Sequence, residues 1–143
     1  MTPVYTAEAT ANAGGRAHGH VETSDGQVKL DTAFPREMGG DGKGTNPEQL
    51  VSMGYAACFS GAIGAIAKKH DANLEGLTVT VRTTFNREDD GGFALTFAVQ
   101  AHLPHMTQAA ADALVADAHT VCPYSRAFQH TAPAVATAVG GQG

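Results

Sequence analysis

The chain has no tryptophan, two cysteines and nine lysines and arginines among 143 residues. Each scarcity excludes a class. Two cysteines are too few for a disulfide scaffold or a four-cysteine zinc site. Only Lys68 and Lys69 are adjacent, and the formal net charge is −5, so there is no clustered basic face for a nucleic acid. No apolar run reaches the roughly 20 uncharged residues of a membrane helix. The opening Met1-Thr2-Pro3-Val4 lacks the cationic and apolar stretches of a secretory signal, so the expected location is cytoplasmic and no membrane partner is expected. Also missing are a Gly-x-Ser-x-Gly elbow, a phosphate-binding glycine loop, a dinucleotide fingerprint and a Cys-x-x-Cys dithiol.

What is present fits one domain over residues 1–143, with 43% hydrophobic residues and 17 glycines. Residues 4–35 read as extended. Arg16–Glu22 and Gln27–Thr32 flank a Thr23-Ser24-Asp25-Gly26 hairpin turn. Residues 36–44 hold four glycines and form a loop. Asn46 then suits an N-cap, Pro47 a first helical position and Glu48 the positive end of the dipole, predicting a helix to about Lys69. From Leu50 to Ala67 that helix carries no charge, which demands burial on nearly every side. It also carries Gly54, Gly61 and Gly64, which suit close packing of another backbone. A protomer of this size struggles to surround such a helix, so a partner subunit is expected to cover part of it.

Leu77–Phe85 and Phe93–Val99 alternate as strands around the loop 86–92. Thr107 caps a helix to about Thr120 that buries Ala110, Leu114, Val115 and Ala118. Cys122–Phe128 forms a short helix with Pro123 at its first position. Ala134–Val139 makes a last strand and Gly140–Gly143 a tail. The expected class is α+β: a mostly antiparallel sheet wrapped around a long buried central helix.

Several residues can carry chemistry, and each has a plain alternative. Cys58 sits mid-helix in apolar surroundings, as a core thiol would, and such surroundings raise a thiol pKa. To react it needs an imported cation. Cys122 precedes a proline and should be the N-cap of the short helix, facing free backbone N–H groups that favour thiolate. On local context Cys122 is the better nucleophile, or else a silent cap. Glu48 is a first-turn acid and Arg16 a strand arginine behind Gly14-Gly15. His18 and His20 share a strand face but have no further ligand cluster, so no metal is expected. The other five histidines form no ligand spacing.

Thr45-Asn46-Pro47-Glu48-Gln49-Leu50, followed by Gly54-Tyr55-Ala56-Ala57-Cys58-Phe59, resembles the signature helix of the organic hydroperoxide resistance proteins. Val121-Cys122-Pro123-Tyr124-Ser125 resembles their second motif, and Gly14-Gly15-Arg16 their N-terminal arginine segment. The likeness runs from about residue 4 to residue 139. It implies a thiol peroxidase with no bound cofactor, acting on organic (alkyl or lipid) hydroperoxides. It places the peroxidatic role on Cys58 and the resolving role on Cys122, with a Cys58–Cys122 disulfide reduced by an external dithiol, typically a protein-bound lipoyl group. It places thiolate stabilisation on Arg16 and orientation of that arginine on Glu48. The resemblance thus reverses the local preference for Cys122, because a guanidinium brings a full charge and a helix terminus about half of one.

One spacing bears on assembly. Glu48 and Cys58 are ten residues apart, about 15 Å along an unbroken helix. Either the helix breaks, or Arg16 and Glu48 serve the Cys58 of a second copy in an intertwined homodimer. The competing readings are a redox switch or binding protein using the same cysteine pair without turnover, and a small dimer with structural thiols only.

Overall fold

The computed structural model describes residues 1–132 and 134–142, so Gly143 of the expected tail lies outside the described residues. The chain divides into two compact units, residues 1–50 and 51–143.

In the first unit, strands β1 (Ala9–Ala11), β2 (His20–Thr23) and β3 (Lys29–Asp31) form an antiparallel sheet in the order β1-β2-β3. The Asp25-Gly26 turn sits between β2 and β3 as expected, with Gly26 at φ +72°. The segment around Arg16 departs from expectation. Instead of continuing a strand, Gly15–His18 makes one helical turn, α1, entered through Gly15 at φ +50°. Paired glycines allow that positive φ at little cost, which is the reason an extended reading fails here. His18 therefore lies on a helical turn and His20 on β2, so the two do not share a strand face. The 36–44 loop opens with a 3-10 turn at Arg36–Met38 and turns through Gly39 and Gly42 at positive φ.

Helix α2 runs without interruption from Pro47 to Ile66 and ends in a 3-10 turn, Ala67–His70. The Asn46 side chain accepts a hydrogen bond from the Gln49 backbone N–H at 2.9 Å, the cap its residue type suggests. The segment Pro47–His70 is long and apolar enough by composition to cross a bilayer. Yet Tyr55, Phe59 and Ile63 are fully buried in the second unit's core. The chain does not by itself bury the helix on every side: only Tyr55, Phe59, Ala62 and Ile63 are buried, and Met53 is 55% exposed.

In the second unit, β4 (Thr78–Arg87) and β5 (Phe93–Thr107) form a long antiparallel hairpin. Helix α3 (Gln108–Val121) follows, then α4 (Pro123–Phe128), and β6 (Val135–Gln142) returns parallel to β5. The fold is α+β, with two three-stranded sheets rather than one and a parallel edge on the second. Two further expectations are corrected. Residues 140–142 belong to β6, not to a tail, and α3 buries Ala111, not Ala110, beside Leu114, Val115 and Ala118. The apolar side chains of α2, β5 and α3 make one core: Tyr55, Phe59, Ile63, Val99, Leu103 and Leu114 are its largest fully buried members.

Candidate active site

The second unit holds both sulfurs. Cys58 lies mid-α2 and is half-buried; Cys122 ends α3, starts α4 and is fully buried. They stand 64 positions apart in sequence, yet the Cys122 thiol donates to the Cys58 sulfur at 3.8 Å. Pro123 at the first position of α4 explains part of this, because it forces an extended Cys122 (φ −63°, ψ 122°) between the two helices.

The expectation that the Cys122 thiol faces the free amides of α4 does not hold. Its side chain makes no capping hydrogen bond. The backbone N–H of Tyr124 is instead directed at Cys58. Proline has no N–H, so Tyr124 is the first residue of α4 with an amide to give. Burial pushes the Cys58 thiol above its ordinary pKa; the Tyr124 amide acts in the opposite sense, and the neighbouring Cys122 adds to the rise. In its own unit, Cys58 is therefore a partner to Cys122 whose thiol burial holds in the protonated form.

The same helices are joined by a polar and aromatic clasp. The Tyr55 and Ser125 hydroxyls hydrogen-bond at 2.8 Å in the buried interior. The Tyr124 ring stacks on Tyr55 at 5.5 Å and meets Phe128 edge-on at 5.9 Å. Burial holds the Tyr55 phenol above its ordinary pKa, so it remains a neutral hydrogen-bonding group at physiological pH.

The first unit holds the charged pair. Arg16 Nη2 donates to Glu48 Oε1 at 2.8 Å and Nη1 to Oε2 at 3.5 Å, a fork that fixes the guanidinium plane. The Arg16 side chain is 32% exposed and the Glu48 side chain 14%. Thr32 builds the support. Its buried hydroxyl donates to the Gly15 carbonyl and accepts the Gly19 N–H, so it holds both ends of α1. Next to it, the Thr45 N–H binds the Asp31 carbonyl at 2.8 Å and the Ala33 N–H binds the Thr45 carbonyl at 2.9 Å. Asn46 and Glu48 follow directly in sequence. A single hydrogen-bonded path thus runs from the turn carrying Arg16 to the helix start carrying Glu48.

His20 is committed to Asp31 at 2.8 Å, and among the described residues no group of three His, Cys, Asp or Glu side chains is arranged to hold a metal.

A family model described as OsmC-like protein matches residues 40–137. The organic hydroperoxide resistance protein of Xanthomonas axonopodis pv. citri is 42% identical over 125 residues, covering 87% of each chain. The chain belongs to the organic hydroperoxide resistance group of OsmC-like proteins. Solved members agree in fold. An organic hydroperoxide resistance protein OsmC from Legionella pneumophila superposes with a TM-score of 0.87 at 44% identity, covering 96% of this chain and 98% of that one. A Vibrio cholerae protein of the same description, with captopril bound in one of its active sites, gives a TM-score of 0.85 at 40% identity, covering 99% and 94%.

Sequence reasoning singled out both cysteines, Arg16 and Glu48, which the structure pairs as Cys58 with Cys122 and Arg16 with Glu48. It missed Thr32, whose role depends on a tertiary contact with Gly15. It also missed the Tyr124 amide, although Pro123 carried that signal.

Proposed function

We propose that the protein is a cysteine-based peroxidase that reduces organic hydroperoxides to alcohols. The observation that carries this reading is the approach of the Cys58 and Cys122 sulfurs to 3.8 Å. The Cys58 thiolate attacks the distal oxygen of ROOH. The O–O bond breaks, the alkoxide takes a proton and leaves as ROH, and Cys58 becomes a sulfenic acid. The Cys122 sulfur then attacks Cys58, water departs, and a Cys58–Cys122 disulfide remains. An external dithiol, in our reading a lipoyl group, supplies the two electrons and two protons that restore the thiols. Captopril is itself a thiol, so its place in an active site of the Vibrio relative is consistent with a thiol reductant entering such a site. The cycle runs in the cytoplasm and needs no bound cofactor.

Arg16 supplies the missing cation. A guanidinium keeps its proton at any working pH, so it favours thiolate where burial alone disfavours it. Glu48 aims it. Because α2 is unbroken, the ten residues between Glu48 and Cys58 correspond to about 15 Å of helix. The reading that fits is an intertwined homodimer in which Arg16 and Glu48 act on the Cys58 of a second copy. The exposed apolar residues of α2, led by Met53, support a second copy as their cover. The uncharged helix favours alkyl or lipid hydroperoxides over hydrogen peroxide.

The test is stopped-flow oxidation of the reduced protein, with intact mass at each end point. An alkyl hydroperoxide should remove two hydrogens rapidly from the wild type, leave Cys58→Ser unchanged, and add one oxygen to Cys122→Ser. Excess dihydrolipoamide should sustain turnover. A single oxidation without turnover would instead mark a redox switch, and slow oxidation of all three proteins would mark structural thiols.

A further inference from the structure

Gly54 lies on α2 one helical turn before Cys58, on the same face. Among the described residues it is the one glycine of this helix against which another element closes: an added Cβ would stand 2.7 Å from the Tyr124 hydroxyl oxygen and 3.3 Å from its Cζ, whereas Gly61 and Gly64 have no described atom within 4 Å. The Tyr124 ring cannot simply swing aside. Tyr55 stacks on it at 5.5 Å, Phe128 meets its edge at 5.9 Å, and the Tyr55–Ser125 hydrogen bond anchors the next residue of α4 at 2.8 Å. A push on this ring is therefore passed to its backbone. That backbone carries the N–H directed at Cys58 and lies two residues from Cys122.

We infer that Gly54 is a positioning residue for the redox pair: the absence of a side chain there seats Tyr124, and the seated Tyr124 holds α4 where the Cys122 sulfur reaches Cys58. The inference deepens the peroxidase reading, since a looser pair leaves the Cys58 sulfenic acid longer in contact with a second peroxide and turns resolution into over-oxidation. The pairing itself can be measured without peroxide, so the two ideas fail separately.

The experiment is equilibration of the protein with oxidised and reduced dithiothreitol. Each disulfide formed transfers two electrons and two protons from the Cys58 and Cys122 thiols to oxidised dithiothreitol, giving reduced dithiothreitol. Trapping of free thiols and intact mass give the oxidised fraction. Gly54→Ala should lower the equilibrium constant for disulfide formation about tenfold. Alanine favours helix over glycine, so a loss of pairing cannot be charged to a weaker α2. The same change in a Tyr124→Phe background should have less than a twofold effect, because the atom at 2.7 Å is gone. A rescue of this kind separates positioning from general damage. Equal equilibrium constants for Gly54→Ala and wild type would overturn the inference. So would a loss, or an unfolding, that Tyr124→Phe does not relieve, because the new methyl would then be meeting something other than the phenol.

Discussion

The two units hold their candidate functional side chains by opposite means. Among the described residues, every buried apolar residue of the core lies between Tyr55 and Ala134, in the second unit. There Cys122 is fixed by close packing, and Cys58 is packed against the same core. In the first unit the buried side chains are polar, Thr32 and Asn46, and Arg16 is held by a fork to Glu48 and by backbone tied through Thr32. Packing in a dense core has few alternatives, whereas a hydrogen-bonded path in a thin sheet can be exchanged for water at modest cost. The sulfur pair is thus built into a stable frame, and the Arg16 guanidinium, in our proposal the cation that activates it, is carried on the unit with less to hold it. Local opening free energies should follow the same division, lower in residues 1–50 than in 51–143.

The largest test of that contrast is a pair of matched truncations. Leu114 is fully buried in the second unit, and Leu30 on β3 is only partly buried. Leu114→Ala should cost about 3 kcal/mol and Leu30→Ala less than about 1 kcal/mol, read by urea unfolding. Equal costs would mean that the first unit has an apolar core after all, supplied by a second copy.

The next effect concerns the cation. Arg16→Gln should leave the melting temperature within about 2 °C and slow Cys58 oxidation about 100-fold at pH 7, because less of the thiol is then ionised. The sign of its pH dependence follows from burial. Cys58 holds its proton above the ordinary thiol range, and only the deprotonated form reacts. Without the guanidinium, the rate should therefore climb about tenfold per pH unit between pH 7 and 9, while the wild type stays shallower. Mixing Arg16→Gln with Cys58→Ser protein then sharpens the comparison between units. If each site takes Arg16 from one copy and Cys58 from the other, half of the random dimers are mixed and each has one intact site, so about a quarter of wild-type activity returns. No recovery would place Arg16 and Cys58 of one chain in the same site.

How much of this was legible in the sequence follows the same division. In the second unit, hydrophobic alternation marked β4 and the first half of β5, the Thr107 cap marked α3, and Pro123 marked α4. The remainder of β5 was hidden by Pro104, and only the end of β6, beyond the expected strand Ala134–Val139, by Gly140 and Gly141, which read as a tail. Their reason is tertiary: a Cβ at Gly141 would stand 2.1 Å from the Pro104 carbonyl oxygen, and one at Gly140 would stand 2.7 Å from the Gln108 nitrogen. Small residues there admit the parallel strand, and no local pattern announces that. In the first unit, Gly14-Gly15 could as readily extend as turn, and the structure turns at Gly15 because Thr32, far along the chain, closes on it. The candidate site residues stood out where a motif carries them, whereas the Thr32 hydroxyl that supports the Arg16 turn had no local signal.

The smallest effect is the most informative about how the first unit works. Asn46 caps α2 by accepting the Gln49 N–H at 2.9 Å, and it stands two residues before Glu48. Asn46→Ala should cost about 1 kcal/mol, which lowers the melting temperature by about 3 °C. Asn46→Asp keeps an acceptor at the cap and should cost less. If capping matters only to stability, the oxidation rate of Cys58 follows neither change. If the cap also sets the first turn from which Glu48 aims Arg16, Asn46→Ala should slow oxidation several-fold, and Asn46→Asp should restore both stability and rate. A rate that falls with an unchanged melting temperature would show that the polar frame of the first unit serves orientation before stability, as its lack of buried apolar side chains implies.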